Sequence, residues 1–233
     1  MSKMKSTLIF LFFIYCGSSL YAQAINLDSI FEPKLRGEIY LPKTGIEGKQ
    51  FYRDEWAMSD IKLSSGKMVF NKQLKYSILE DEVIWLPTGS FRLVKLEKHF
   101  TDEFTFKNIN GQSVRFKRKR VKFPAMVDST DIFTEVLIEN AASLFVFRTV
   151  SIENTSNNLD GVLYSVKKIS PQPVYILIFP DKQIISFRKI SKHALLKVTP
   201  EKYKATFKSI LEQGHFSIRS ENDLSRLVNE LSH

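Results

Sequence analysis

One cysteine, nine glycines and four histidines are all that 233 residues provide of the residue types that most often mark recognisable chemistry. A single cysteine, Cys16, excludes a disulfide framework within the chain and a multi-cysteine metal site. The glycines are too dispersed for a G-x-G-x-x-G fingerprint or a Walker A loop, so no nucleotide cradle is expected. His99, His193, His215 and His233 never fall at H-x-x-x-H or H-x-H spacing, which excludes a helical zinc pair. There is no G-x-S-x-G elbow and no D-x-[DN]-x-[DN]-G calcium loop. Beyond the N-terminal stretch no apolar run approaches 18 residues, so no transmembrane helix is expected in the mature chain. Acids are in deficit as well, at 25 against 34 lysines and arginines, for a net charge of +9.

What is present is an ordinary globular composition, 43% hydrophobic and 25% charged, unusually rich in phenylalanine at 19 residues. That composition excludes a disordered chain and supplies material for an aromatic core. The N-terminus reads as an address. Lys3 and Lys5 precede an apolar run from Leu8 to Tyr15, and small residues lead to Ala22-Gln23-Ala24. A basic start, an apolar stretch too short to span a bilayer and a small-residue exit define a secretory signal peptide, here residues 1–22, with cleavage after Ala22 or Ala24. Cleavage would remove Cys16 and two lysines; bulky Tyr15 before Cys16 disfavours lipidation of that cysteine.

From Glu38 to Arg188 short apolar runs repeat at strand spacing. Leu74–Leu79 and Val83–Leu86 flank Glu80-Asp81-Glu82 and predict a hairpin with a solvated acidic turn. Phe100, Phe104 and Phe106 recur at mostly even spacing, and Asn110-Gly111 signals a turn before Val114–Val121. Further strands are expected at Val136–Ile138, Leu144–Ile152, Val162–Ile169, Val174–Phe179 and Ile184–Phe187. Pro42–Lys49, Pro124–Asp131 and Thr155–Gly161 carry the composition of loops. No helix-length segment separates the strands, so the sheet should be antiparallel. The tail changes period. Ser191–Val198 predicts a short helix, Thr199-Pro200 starts a second, and Tyr203, Phe207, Ile210 and Leu211 share one helical face. Gly214 would stop it. Ser220 and Asp223 form a capping-box pattern ahead of a stripe of Leu224, Leu227, Val228 and Leu231. The expectation is an α+β protein, mainly antiparallel β (a twisted sheet, sandwich or barrel-like roll) over residues 34–190, with C-terminal helices over 191–233 packed on it.

Several segments carry a resemblance: Tyr21-Ala22-Gln23, Phe133-Thr134-Glu135-Val136-Leu137, the Tyr164 and Tyr175 strands, Phe187-Arg188-Lys189-Ile190-Ser191-Lys192, Leu195-Leu196, Pro200-Glu201-Lys202 and Ser220-Glu221-Asn222-Asp223-Leu224. In these the chain resembles a group of exported β-rich proteins, without an assigned activity, from Bacteroidetes-type Gram-negative bacteria. The resemblance implies export and a β-rich body with a helical tail, and it carries over no catalytic residue.

Charge is the one asymmetric feature. Arg115, Lys117, Arg118, Lys119, Arg120 and Lys122 fall within eight residues that hold no acid. Ten further basic residues stand against two acids between Ser165 and Lys208. In a strand Arg118 and Arg120 share one face and Arg115, Lys117 and Lys119 the other. That pattern suits an edge strand or protruding hairpin, where basic side chains also block edge-to-edge association. The same five residues, Arg115, Lys117, Arg118, Lys119 and Arg120, are the candidate anion-binding site. Export and the absence of any nucleic-acid motif point away from nucleic acid. The expected protein is therefore an exported resident of the periplasm, outer membrane or exterior. It is expected to be a non-catalytic binding or assembly protein that meets anionic envelope components or another envelope protein, with no metal or cofactor. The alternative is an envelope-glycan hydrolase using an acidic pair that includes Asp54 or Glu55, beside Trp56. Asp28-Ser29-Ile30, Asp128-Ser129-Thr130 and Asn154-Thr155-Ser156 fit short glycosylation patterns.

Overall fold

The computed structural model describes residues 34–107, 112–123, 128–160, 162–213 and 217–231. The expected signal segment with Cys16, the Asp28 motif, the Asn110-Gly111 turn, Gly214, His215 and His233 lie outside them. Among the described residues the order is β1 (Gly37–Ile39), β2 (Ile46–Glu47), β3 (Ala57–Leu63), β4 (Met68–Ser77), β5 (Glu82–Leu86), β6 (Val94–Leu96), a 3-10 turn (Lys98–Phe100), β7 (Thr101–Phe106) and β8 (Val114–Val121). There follow β9 (Thr130–Glu139), β10 (Ser143–Phe147), β11 (Val150–Leu159), β12 (Val162–Pro171), β13 (Val174–Ile178), β14 (Ile184–Phe187), α1 (Lys192–Val198), α2 (Glu201–Gln213) and α3 (Glu221–Glu230). The protein is thus mainly antiparallel β with a helical C-terminal part. One sheet runs β1-β6-β5-β4-β3-β7-β8-β9-β10-β13-β14, and a second holds β11-β12-β2. The only parallel pairing among the described strands joins β12 to β2.

The large sheet does not close into a barrel, but half of it curls. β4 and β9 are separated by β3, β7 and β8, and four flat inter-strand steps would set them about 19 Å apart. Instead Tyr76 of β4 and Phe133 of β9 meet with ring centroids 6.3 Å apart, and the Tyr76 hydroxyl donates to the Phe133 carbonyl at 3.4 Å. The inner face of this curl is aromatic. Phe104 stacks on Phe116 at 4.8 Å, Tyr76 tilts against Phe104 at 5.6 Å, and Phe106 packs edge-on to both phenylalanines. All these residues are fully or almost fully buried, and each large side chain so buried contributes about 1.5–3 kcal/mol.

The β4–β5 hairpin forms as expected, but its turn is not solvated. Asp81, at φ 56°, accepts from the Tyr76 hydroxyl, Lys98 Nζ and the Phe133 N–H, at 2.6, 2.8 and 3.1 Å. Aspartate tolerates that left-handed backbone better than most residues. Its carboxylate thus takes the place of a strand partner across the open seam of the curl. Glu80 is likewise engaged, by the Tyr40 hydroxyl at 3.0 Å and Lys43 at 2.8 Å.

The other half of the sheet is covered by helices. Leu144, Val146, Tyr175 and Leu177 project to one side and pack with Leu195 of α1, Phe207 and Leu211 of α2, and Leu224, Leu227 and Val228 of α3. The helix stripes expected from the sequence are these packing faces. Ser191 caps α1 by accepting from the Ala194 N–H, and Ser220 with Asp223 forms a reciprocal capping box on α3. Pro200 stands immediately before the first residue of α2.

Two expected boundaries are corrected. Leu144–Ile152 is not one strand: Arg148 and Thr149 interrupt it, and the chain leaves the large sheet for β11. The interruption coincides with the ion pairs of Arg148 described below. Thr155–Gly161 is not a loop over most of its length, because β11 continues to Leu159 and pairs residue for residue with β12. Main-chain pairing overrides the turn-like composition there.

Candidate anion site on the uncovered sheet face

β8 is an interior strand, flanked by β7 and β9, and not the edge strand its charges suggested. A basic strand is tolerated inside the sheet because its neighbours bring acids to it. Arg115 and Lys117 both donate to the Glu139 carboxylate, and Lys117 also lies 3.7 Å from Glu103. Arg118 pairs with Asp102 at 3.1 Å and Asp131 at 3.5 Å, and reaches the Ser64 hydroxyl. Burial tends to raise the Glu139 pKa, but Lys117 and Arg115 more than offset it and hold that carboxyl below its usual range. Three of the five candidate residues are therefore neutralised within the fold.

The far end of the strand differs. Arg120 donates through Nε to the Ser129 hydroxyl at 2.9 Å and has no carboxylate partner among the described residues. Lys119 lies with Nζ 4.4 Å from the centre of the Phe145 ring, again without an ion pair there. Its partial burial lowers its pKa below the usual lysine value. Exposed Lys122 follows just past the strand.

These three cations border a cavity of about 460 Å³. Its walls are Val121 at the end of β8 and Phe123 just after it, Phe145 of β10, Ile176 and Ile178 of β13, Ile184 and Ile185 of β14, and Val198, the last residue of α1. The floor is a small apolar cluster of Ile132, Phe145 and Ile176, on the side of the sheet opposite the helices. Among the described residues no acid lines it. The volume falls within the range of small-molecule sites. Of the five residues singled out from the sequence, Lys119 and Arg120 reach this cavity, while Arg115, Lys117 and Arg118 do not line it. Sequence reasoning missed its apolar walls. The available signal was that Ser143–Phe147 and Val174–Ile178 are apolar on both faces, the pattern of strands covered on both sides. Helices cover only one.

A second cavity, of about 360 Å³, is bordered by Lys34, Arg36 and Lys67 over Leu63, Leu96 and Phe100. Asp54 and Glu55 are exposed and line neither cavity, while Trp56 is half-buried with Lys75 Nζ 5.2 Å from its ring. His99 and His193 are exposed. Among the described residues no three His, Cys, Asp or Glu side chains converge as metal ligands. Ser129 is half-buried and engaged by Arg120, and Asn154 is exposed on β11.

Glu135 and Glu221 face one another across Arg148, as Asp102 and Asp131 do across Arg118. Arg148 donates to Glu135 at 2.6 Å and to both oxygens of Glu221 at 2.6 and 2.8 Å. The Tyr52 hydroxyl donates to Glu135 at 3.1 Å and the Tyr175 hydroxyl to Glu221 at 2.9 Å. Burial opposes ionisation of Glu221, but Arg148 and Tyr175 outweigh it and hold its pKa down. A general acid needs the reverse shift. This network joins the aromatic curl, through Tyr52 and β9, to the first residue of α3. Comparison of the chain with protein-family models, curated proteins and solved structures finds no match.

Proposed function

We propose that this chain is an exported, non-catalytic binding protein of the cell envelope that engages anionic envelope material at the Lys119 end of β8. The reading rests on one observation: among the described residues Lys119, Arg120 and Lys122 are in no ion pair and border an apolar cavity that no acid lines. Elsewhere on β8 the fold supplies acids to its cations, so the lack of them at this end leaves charge for an external anion. Export belongs to the same proposal and is supported by the composition of residues 1–24; kinship with the Bacteroidetes-type group belongs to it too, supported by the resembling segments such as Phe133–Leu137 and Phe187–Lys192. N-terminal sequencing of the protein from envelope fractions should begin at Gln23 or Ile25; an intact Met1 on a cytoplasmic protein would sink the export half.

Sedimentation with vesicles rich in anionic phospholipid tests the binding half. Each basic group near such a surface is worth about 1 kcal/mol. The wild type should co-sediment at low salt and be released near 1 M, where the screening length is about 3 Å. A Lys119→Gln, Arg120→Gln, Lys122→Gln variant should stay in the supernatant with its melting temperature kept. Equal sedimentation of both chains would refute the assignment.

A further inference from the structure

The uncovered sheet face has the build of a ligand groove as well as a charged surface. Phe145, Ile176 and Ile178 come from strands inside the sheet, and Ile184 from its edge strand. β13 and β14 are in register, so Ile178 lies opposite Ile184 and Ile176 opposite Ser186. The apolar surface is thus continuous from beneath Lys119 to the sheet edge. Ile184 is 61% exposed at that edge. Water against such a surface is unfavourable, and apolar cover on it is favourable. The cations, by contrast, are confined to the β8 side. Burial of one end of a ligand by apolar walls and of the other by cations selects an amphiphile with a single anionic head.

We infer that the groove takes one long-chain fatty carboxylate, its acyl chain along Phe145, Ile176, Ile178 and Ile184 and its head at Lys119. The inference rests on the binding reading above and names its ligand class. Two features select this occupant. A volume of about 460 Å³ lies at the small end of ligand sites, which suits one chain with a compact head better than a two-chain lipid. Lys119, leaning over the Phe145 ring, offers an ammonium that has lost part of its water and has no carboxylate of its own among the described residues.

The test is calorimetric titration of the full chain with dodecanoate, kept below its micelle concentration, and with acetate as the head alone. Dodecanoate should bind one per chain with a negative heat-capacity change, the marker of apolar burial, and acetate should give no measurable binding. Lys119→Gln should weaken dodecanoate by about tenfold or more, the loss expected of a charged hydrogen bond. Ile184→Ser, at an exposed position where folding is not at stake, should weaken it as well. Dodecanoate binding no tighter than acetate, or unchanged by both substitutions, would overturn the inference. If anionic vesicles still bind the wild type while dodecanoate does not, the ligand class is wrong and the envelope reading stands. If a single-chain phospholipid binds in its place, the head is a phosphate and the carboxylate assignment falls. Loss of every one of these interactions would end both.

Discussion

The two halves of the large sheet solve the same burial problem differently. The β4-β3-β7-β8-β9 half curls until its own aromatic face is closed, so it has no need of a second layer. The β9-β10-β13-β14 half covers one face with three helices and leaves an apolar groove on the other. Curvature makes a sealed core and an added layer makes a one-sided one. The cavity at Lys119 lies on the half that does not curl over itself. The joint between the halves is ionic: Arg148, immediately after β10, holds Glu135 of β9 and Glu221 of α3.

Cutting that joint is the most direct way to break the contrast. Arg148→Ala leaves Glu135, whose side chain is 8% exposed, without its cation. Removing one partner of a buried pair typically costs about 3–5 kcal/mol. Urea unfolding should show a loss of that size, larger than that of Glu135→Gln combined with Arg148→Met, which removes the stranded charge together with its partner. If the single variant unfolds like the wild type, the halves are joined by apolar packing alone.

The seam of the curl comes next. Asp81→Ala orphans the Phe133 N–H and leaves the Tyr76 hydroxyl only its longer contact to the Phe133 carbonyl, and an unsatisfied buried group costs about 1–3 kcal/mol. The two acids should also respond to pH with opposite signs. Burial holds the Asp81 pKa above its usual 3.8, so the folded state binds the extra proton. Its contribution is present below 3.8 and is lost as pH rises through the folded value. Glu221 is held below 4.5, so its contribution is present above 4.5 and is lost as pH falls through the folded value. A Glu221→Gln chain should lose less stability than the wild type on acidification from about pH 6 to pH 3, and an Asp81→Asn chain should lose more. Parallel curves for all three chains would remove these acids as the source.

Much of this architecture was legible in the sequence, and the failures share a cause. Helix stripes, caps and the β4–β5 hairpin are local patterns, and Phe207, Leu224 and Ser220 do what their spacing implies. The curl was not legible, because nothing in the spacing of Tyr76 and Phe133 says that strands with three others between them will touch. The acidic turn looked solvated for the same reason: its partners, Lys98 and the Phe133 N–H, are distant in sequence. β8 looked like an edge because Glu139, Glu103, Asp102 and Asp131 belong to other strands. The candidate site was half legible. Its cations are one run, whereas its apolar walls are gathered from three further strands.

The smallest expected effect sharpens the contrast within β8 itself. Arg118 is held by two carboxylates and a hydroxyl, whereas Lys119, the next residue, has no ion pair among the described residues and lies over Phe145. Arg118→Gln should therefore destabilise by about 1 kcal/mol, the scale of a partly exposed pair, whereas Lys119→Gln should stay within about 0.5 kcal/mol of the wild type. The sign of the pH effect separates them further. Burial lowers the Lys119 pKa below 10.5, so between its folded value and 10.5 the unfolded chain binds more protons. Wild-type stability should gain a small increment as pH rises through that window, and Lys119→Gln should lack it. A Lys119 substitution that costs as much as the Arg118 one would mean that the ammonium already has a carboxylate partner in solution, and the groove would then have no free charge to offer a ligand.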